Sequence, residues 1–555
     1  MREREMLEKA LDASIVFAPA FLPSVVAHAP RTQKKKPDPP PNPQKDYDKK
    51  KYVWKLLYIH MLGYDVEFGH RQAADLLAAP RYAEKQVGYL ACSLLLSERD
   101  EFLRLVTNSV RSDLVSRNEA FQALALTFLA NVGGAEMASL LAPDAAAVLL
   151  DGGARPGIRG RAALALLRAA RKSLAQDEDP LPADAWAPRL AALLDDEKDV
   201  GLLLCVSALV VGVVARSYAG FECLAPRLVA LLARLRARDV PPDCTYYGIA
   251  CPWAQVKVLR ALQYFPPPDA PTRRSASAAL RSAIDAAAAV WGPSASSSSS
   301  SSSSASASGQ PAAAQPPKNV NKSNALHAIA LEAAPLALGG WGDDETAAAA
   351  AALLAKCALG GSSGGRGAGI RDANVRCLGL DALARLGGLP AAAAAAAAAR
   401  PALAEALRDN DTSIRRRALD LLFSQADAAA APSPSDRGSG NGGSSPPSSS
   451  SPAPACGGVA AFEQLLAYLS PGGGCAPDMR EEVALRAAVL AERFAPDSSW
   501  YARSLLALVE AAGEDAPPDV WRSAAHVVAA ADAGGRAAAA GAALAALRRS
   551  RSRGG

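Results

Sequence analysis

The stretch KDYDKKKYVWKLLYIHMLGYDVEFGH, residues 45–70, determines how the rest of the chain is interpreted. Its apolar residues recur at about one helical turn, at Tyr52, Leu56 and Ile59, and Gly63 follows as a helix stop. The pattern predicts a helix that ends near Gly63.

Lysines gather at the expected start of this helix. Lys49–Lys51 precede the apolar pattern, and Lys55 follows Lys51 by four residues, so these two ammonium groups share one face. Lysines in a first helical turn oppose the positive end of the macrodipole, at a cost of a few tenths of a kcal/mol. An anion bound there reverses the cost, because free backbone N–H groups and lysines converge on it. Taken alone, such a cluster is more often a solvated basic edge over an apolar stem.

Composition limits the function classes. The chain has 555 residues, is 50% hydrophobic but only 5% aromatic, and carries a formal net charge of +5. A chain of this length holds several domains or one repeat array. Its net charge is too small for nucleic-acid binding by the whole protein, so anion binding must come from a local patch.

Several segments share one form, in which a polar turn leads into a basic or polar residue and then an apolar helix. They are Arg81–Leu96, Asp113–Leu129, Arg155–Leu167, Asp199–Val211, Trp253–Phe265, Asp372–Leu386, Asn410–Leu422 and Pro477–Leu490. The sixth and seventh are about 40 residues apart, which is typical of HEAT or armadillo repeats. No convincing strand alternation is present. The sequence therefore predicts an all-α fold, a right-handed alpha-solenoid of HEAT/armadillo-like helical pairs.

Low-complexity segments divide the predicted solenoid. We interpret residues 1–44 as a disordered leader, 294–320 as a Ser-rich insert, 360–369 as a Gly-rich loop, 428–458 as an Ala/Ser/Pro/Gly-rich insert and 549–555 as a basic tail. The solenoid then occupies residues 45–293, 321–427 and 459–548. The alanine run Ala391–Ala399 is a strong helix former and is assigned to the solenoid.

No catalytic or metal-binding constellation is apparent. The sequence lacks GxSxG, P-loop, GxGxxG-before-helix and HExxH motifs. Its nine cysteines are scattered without a CxxC pair, and its histidines lack ligand spacing, which indicates reduced thiols in a cytosolic protein. Cys92 and His70 are interpreted as a buried thiol and a surface imidazole. The sequence predicts no enzyme, no metal and no cofactor.

Two other groups of residues are notable. Aromatic and basic residues surround one inter-helix turn, at Tyr246–Tyr247, Cys251–Trp253, Lys257, Arg260 and Gln263. We interpret them mainly as packing, with Pro266–Pro268 ending the helix. Arg415–Arg417 form a basic spot that is more typical of a solvated face.

Longer stretches closely resemble the alpha-adaptins, the large alpha subunits of the plasma-membrane clathrin adaptor complex. The stretch at 45–70 continues the likeness as RQAADLLAAPRYAEKQVGYLACSLLL to residue 96. It resumes as SRNEAFQALALTFLANVGGAEMA, TYYGIACPWAQVKVLRALQYFPPPDAP, NVRCLGLDALARL, SIRRRALDLL and MREEVALRAAVLAERFAPDSSWYARSLLALVEAAGEDAPPDVW. The likeness extends over roughly residues 45–531, and the block TYYGIACPW…PPP is more similar to alpha than to gamma subunits.

The resemblance implies an alpha-solenoid trunk and a phosphoinositide site near its N-terminus. The family pattern Tyr-x-Lys-Lys-Lys-Tyr-Val-x-Lys falls on Tyr47, Lys49, Lys50, Lys51, Tyr52, Val53, Trp54 and Lys55, with Trp54 where a cysteine is common. The implied ligand is phosphatidylinositol 4,5-bisphosphate or an inositol polyphosphate. Residues 1–44 do not match the family's first helix, and the sequence ends before a hinge or appendage.

The implied function is that of a non-enzymatic adaptor subunit in endocytosis and vesicle-mediated protein transport. Its implied partners are the beta, mu and sigma adaptins, with the clathrin coat reached indirectly, at coated pits on the cytosolic face of the plasma membrane. At about 1 kcal/mol per lysine, the four lysines supply about 4 kcal/mol, or roughly millimolar affinity, so the site acts within a multivalent assembly. The alternative is a soluble HEAT-repeat scaffold or transport receptor without lipid binding.

Overall fold

A computed structural model describes residues 43–173, 179–290, 319–359, 372–430 and 456–530, with parts of 534–548. The chain divides into two compact units, Met1–Leu224 and Ala225–Gly555. The predicted leader (apart from its last two residues), the Ser-rich insert up to residue 318, the Gly-rich loop and most of the insert at 428–458 lie outside the described residues.

The first unit is built from consecutive helices. They are α1 (Pro43–Met61), α2 (His70–Leu77), α3 (Tyr82–Leu95), α4 (Phe102–Leu114), α5 (Glu119–Val132), α6 (Ala135–Leu150), α7 (Pro156–Lys172), α8 (Ala183–Asp196) and α9 (Val200–Val214). Odd-numbered helices stack in order from α1 to α9, and α2, α4 and α6 stack beside them.

The second unit continues the helical pattern around one small hairpin. Its elements are α10 (Leu224–Arg236), β1 (Thr245–Tyr246), β2 (Ile249–Ala250), α11 (Pro252–Leu262), α12 (Ala270–Val290), α13 (Val320–Leu336), α14 (Asp344–Leu359), α15 (Ala373–Leu386), α16 (Pro390–Ala406), α17 (Thr412–Ala430), α18 (Cys456–Leu469), α19 (Pro477–Phe494), α20 (Ser498–Ala512) and α21 (Pro518–Ala530). Most helices from α11 to α21 pack on their next-but-one neighbours in the chain; α18 does not pack on α16 in this way but on α17, α19 and α20. This packing confirms the predicted all-α solenoid of helical pairs.

The repeated form has a structural cause at the helix starts. Acceptor side chains cap backbone N–H groups in the first turn at Asn118, Asp199, Asn319, Asp372 and Asp497. Each replaces a hydrogen bond that the first turn of a helix cannot make internally.

The basic residue near the start of several of these helices forms an ion pair with the next repeat. In α7, α15 and α19, an arginine binds a carboxylate in the turn before the next odd-numbered helix; the pairs are Arg159–Glu197, Arg376–Asp409 and Arg480–Asp515. Successive repeats are thereby joined by ion pairs as well as by their apolar faces.

Several expected boundaries were wrong. Asp113 belongs to the end of α4, not to the turn before α5. The chain also forms the hairpin β1–β2, although no strand was predicted. Its strands have two residues each and are too short to show an alternating pattern in the sequence. Helix α17 extends to Ala430 and α18 begins at Cys456, so both helices enter the segment predicted as an insert at 428–458. The alanine run lies within α16, as predicted.

Candidate functional site

The candidate site lies on α1, whose buried face is set by three apolar side chains. Val53, Leu56 and Leu57 are at most 3% exposed and form the side of α1 that packs on α2 and α3. Gly69 permits this approach, since a Cβ at that position would lie 2.2 Å from Leu56 Cδ1. Burial of this face leaves the opposite face of α1 in solvent.

The start of α1 differs from the prediction. The helix begins at Pro43, so Lys49–Lys51 lie well inside it and not in its first turn. Proline is well suited to a first helical position, because its nitrogen needs no intrahelical partner there. The backbone N–H groups at the lysines are therefore part of the helix, and the predicted convergence of free N–H groups on an anion is wrong. The predicted end is confirmed, since Gly63 has a φ of 90° just beyond the helix.

The four lysines do not share one face. Successive helical residues are turned by about 100°, which places Lys49 and Lys51 on nearly opposite sides of α1. Lys49 Nζ lies 3.4 Å from Asp75 Oδ2 on α2. Lys51 is exposed and shares its face with Lys55, while the half-buried Lys50 flanks it.

The structure shows different surroundings for the predicted site residues Lys55, Tyr52, Val53 and Tyr47. Lys55 Nζ lies 5.2 Å from the centre of the half-buried Tyr52 ring, an arrangement typical of a cation–π interaction. Val53 is 1% exposed, so its side chain serves packing and cannot touch a ligand. Tyr47 belongs to α1, but its side chain lies outside the described part of the structure.

Beside the predicted site residue Trp54, the structure exposes three apolar residues that the sequence interpretation did not assign to the site, Tyr58, Met61 and Leu62. Trp54, Tyr58, Met61 and Leu62 are 46%, 61%, 74% and 57% exposed. Their spacing of three to four residues continues the face that carries Lys51. These residues form a second apolar stripe on α1. The sequence pattern alone does not show which of the two stripes is buried and which is exposed.

The Cys92–His70 pair is not arranged for catalysis. Cys92 is fully buried in α3, and burial raises the pKa of its thiol to about 12. His70 is half-buried, with its ring against Phe102 at 5.9 Å between centroids. The buried thiol agrees with the prediction, whereas the imidazole is less exposed than predicted.

The other basic and aromatic groups are largely engaged within the fold. Arg415 pairs with Asp478, Arg416 with Glu482, and Arg417 with Asp381 and Asp420. Near the hairpin, Arg260 and Gln263 both contact Glu332. Neither group offers an anion site comparable with α1.

Two features are absent from the part of the chain that the structure describes. No group of three or more His, Cys, Asp or Glu side chains there could hold a metal ion. Among the described helices, none combines the length and apolar character required to cross a bilayer.

The comparisons with known proteins agree with the resemblance. The family model of the adaptin N terminal region matches residues 31–432. The match begins before residue 45, so part of the predicted leader belongs to the family region after all. The chain is 39% identical over 476 residues to AP-2 complex subunit alpha-1 of Arabidopsis thaliana, covering 86% of this chain and 40% of that protein.

Two further matches are less similar to the chain. The identity to AP-1 complex subunit gamma-like 2 of Homo sapiens is 28% over 463 residues, covering 83% of this chain and 48% of that protein. A homology model of the full-length AP-3 complex in an intermediate open conformation has a TM-score of 0.40 and 16% identity, covering 87% of this chain and 74% of that one. The chain thus spans 40% to 48% of the length of these curated relatives.

Proposed function

The chain belongs to the family defined by the adaptin N terminal region, and from this premise we propose that it is the trunk portion of a large alpha subunit of a clathrin adaptor complex. In this role it is a non-enzymatic component of endocytosis and vesicle-mediated protein transport. It associates with beta, mu and sigma adaptins and acts peripherally at coated pits on the cytosolic face of the plasma membrane.

We further propose that the exposed face of α1 binds phosphoinositide headgroups. The observation that carries this proposal is the position of Lys51 and Lys55 on the same face as Trp54 and Tyr58, opposite a buried face. Lysines attract an anionic headgroup, and aromatic side chains are well suited to the boundary between water and acyl chains. The ligand is phosphatidylinositol 4,5-bisphosphate or an inositol polyphosphate with the same phosphate chemistry.

The lysine geometry lowers the expected affinity. Lys49 faces Asp75, so only Lys50, Lys51 and Lys55 are available to one headgroup. At about 1 kcal/mol each they supply about 3 kcal/mol, which corresponds to an affinity weaker than millimolar. The site therefore contributes to a multivalent assembly and does not anchor the chain by itself.

Vesicle sedimentation tests the lipid site. We expect substitution of Lys50, Lys51 and Lys55 by Gln to abolish binding to vesicles containing phosphatidylinositol 4,5-bisphosphate. A charge-matched control replaces the exposed Lys198, Arg274 and Lys322 by Gln and should bind like the unmodified chain. Equal binding by both triple variants would refute the assignment.

Co-expression tests the partners. The chain should co-elute with beta, mu and sigma adaptins in size-exclusion chromatography, and the α1 triple variant should still do so because its substitutions are on the exposed face. Failure of the unmodified chain to co-elute, with lipid binding also absent, would favour the alternative of a HEAT-repeat transport receptor.

A further inference from the structure

Two cysteines face each other at the open end of the β1–β2 hairpin. The strands are antiparallel, with Tyr246 opposite Ile249 and Thr245 opposite Ala250. One step further from the turn, Cys251 N–H donates a hydrogen bond of 2.9 Å to the carbonyl oxygen of Cys244. These two cysteines are therefore cross-strand neighbours, although two-residue strands gave no sign of this pairing in the sequence.

Extending the strand pairing by one residue is the basis for expecting a disulfide bond between these cysteines. In a regular hydrogen-bonded antiparallel pair, directly opposed residues have Cα atoms about 5.5 Å apart. Here Cys251 N–H makes one of the two bonds of such a pair, while Cys244 N–H donates to the carbonyl oxygen of Pro241 at 3.0 Å. Most disulfides join Cα atoms separated by about 4.4 to 6.8 Å. Both cysteines are free thiols, Cys251 buried and Cys244 half-buried. Burial raises the pKa of the Cys251 thiol, and the proximity of Cys244 raises it further.

The backbone around the pair is held in place. Tyr247 and Gly248 both have positive φ, 49° and 78°, as in a tight two-residue hairpin turn. Cys251 itself has a φ of 30° and immediately precedes α11. Gln255 of that helix donates to the carbonyl oxygen of Ala250 at 2.7 Å. These constraints keep the ends of the hairpin together before any covalent bond forms.

We propose that Cys244 and Cys251 are a redox modification site, at which a hydroperoxide converts the two thiols into an intrachain disulfide. The Cys244 thiolate, the more exposed of the two, attacks a peroxide oxygen, the O–O bond breaks, and a sulfenic acid and water or an alcohol result. The Cys251 thiolate then attacks the Cys244 sulfur, the S–O bond breaks, and the departing hydroxide takes up a proton as water. The pair loses two electrons and two protons, and the peroxide is reduced.

The disulfide would act on an exposed aromatic surface. The Tyr246 ring lies 4.7 Å from that of Tyr247 and 5.0 Å from that of Trp253, between centroids. Tyr247 and Trp253 are 47% and 56% exposed. A covalent bond between Cys244 and Cys251 would close the hairpin that carries Tyr246 and Tyr247 of this cluster.

The sequence permits a direct test on the full chain. Trypsin releases residues 239–257, DVPPDCTYYGIACPWAQVK, which contain both cysteines of the pair and no others. The protein is treated with hydrogen peroxide, its free thiols are blocked with iodoacetamide, and the digest is analysed by mass spectrometry without reduction. We expect this peptide to lack both alkyl groups and to be two hydrogen atoms lighter than the dithiol. Dithiothreitol should restore double alkylation.

Single substitutions separate the pair from general oxidation. Cys251→Ser should lose the product and leave Cys244 as a sulfenic acid or a more oxidised form. Cys223→Ser removes an exposed cysteine outside the hairpin and should leave the product unchanged. Because Cys251 reacts as the thiolate, disulfide formation should also accelerate as the pH rises. Double alkylation after peroxide treatment, or a disulfide from Cys244 to a different peptide, would overturn the proposal.

Discussion

At the scale of single residues, a lysine charge is buried in the core of the first unit. Lys85 Nζ lies 2.8 Å from Asp113 Oδ2 and donates at 2.8 Å to the carbonyl oxygen of Leu77. Tyr89 donates to the same carboxylate at 2.7 Å, and burial together with this bond raises the pKa of Tyr89. These contacts join α2, α3 and α4, so the buried charges are fully engaged.

Removing one member of this pair should be costly. We expect Asp113→Asn to lower the free energy of unfolding by about 3–5 kcal/mol, because the Lys85 ammonium would remain buried without a counter-charge. Asp75→Asn, which removes the exposed partner of Lys49, is the matched control and should cost less than about 1 kcal/mol. Urea denaturation measures both values. Similar losses in the two variants would contradict the importance of burial.

A buried histidine should make stability depend on pH. His327 in α13 is 5% exposed, and its Nε2 lies 3.2 Å from Ser323 Oγ. Desolvation lowers the pKa of His327 to about 4, although the nearby Asp372 raises it in part. In the unfolded chain His327 therefore takes up a proton near pH 6.5, whereas in the folded chain it is protonated only near pH 4. Stability is fully present above pH 6.5 and is lost as the pH falls towards 4.

The size of this loss follows from proton linkage. Between pH 7 and pH 5 His327 should remove about 2 kcal/mol of unfolding free energy. His327→Gln cannot take up the proton, so its stability should fall less over the same interval. Denaturation curves at the two pH values measure the difference. Equal losses in the variant and the unmodified chain would show that other groups are responsible.

At the scale of elements, α1 has two apolar faces with different tasks. Val53, Leu56 and Leu57 pack on the next helices, whereas Tyr58 and Met61 project into solvent beside the lysines. An exposed aromatic or methionine side chain gains free energy only when a membrane or another apolar surface covers it. The second face is therefore expected to matter for binding and not for folding.

This division gives a prediction for the exposed face. Tyr58→Ser and Met61→Ser should each weaken binding to phosphoinositide vesicles roughly fivefold, because each loses about 1 kcal/mol of apolar burial. Their melting temperatures should stay unchanged. Tyr82→Ser, at an exposed position of α3, is the control and should bind normally. A fall in melting temperature that parallels the loss of binding would assign these side chains to folding.

The features of these elements that could be predicted are the helix ends and caps that depend on a few neighbouring residues. Gly63 as a helix stop and Asp372 before α15 are determined by backbone conformation and capping, which short sequence patterns carry. The start of α1 at Pro43 was missed because the polar residues before the lysines have no apolar periodicity. The Cys244–Cys251 pairing depends on a turn with two positive φ values, for which only Gly248 gave a signal.

At the scale of the whole molecule, long-range contacts determine which basic residues are paired within the fold, and the sequence alone does not show these contacts. The sequence does not distinguish Lys49 from Lys51, yet Lys49 faces Asp75 of α2 and Lys51 faces solvent. Likewise the sequence indicates a basic spot at Arg415–Arg417, whereas in the structure each of these arginines pairs with a carboxylate from another helix. Local patterns located the basic residues, and the stacking of repeats determined which of them are available to a ligand.

The small number of available lysines leads to a prediction for the assembled complex. Alone, the chain should bind phosphoinositide vesicles weakly, since about 3 kcal/mol from three lysines does not hold a protein on a membrane. Joined to beta, mu and sigma adaptins that contact the same membrane, it should bind about 10² to 10⁴ times more tightly, because later contacts form within one assembly. Raising the salt from 0.1 to 1 M shortens the screening length from about 10 to 3 Å and should reduce binding in both cases. Vesicle titrations of the chain and of the complex, each with and without the α1 triple substitution, measure these effects. If the chain alone bound as tightly as the complex, α1 would be an anchor in its own right and the multivalent interpretation would be wrong.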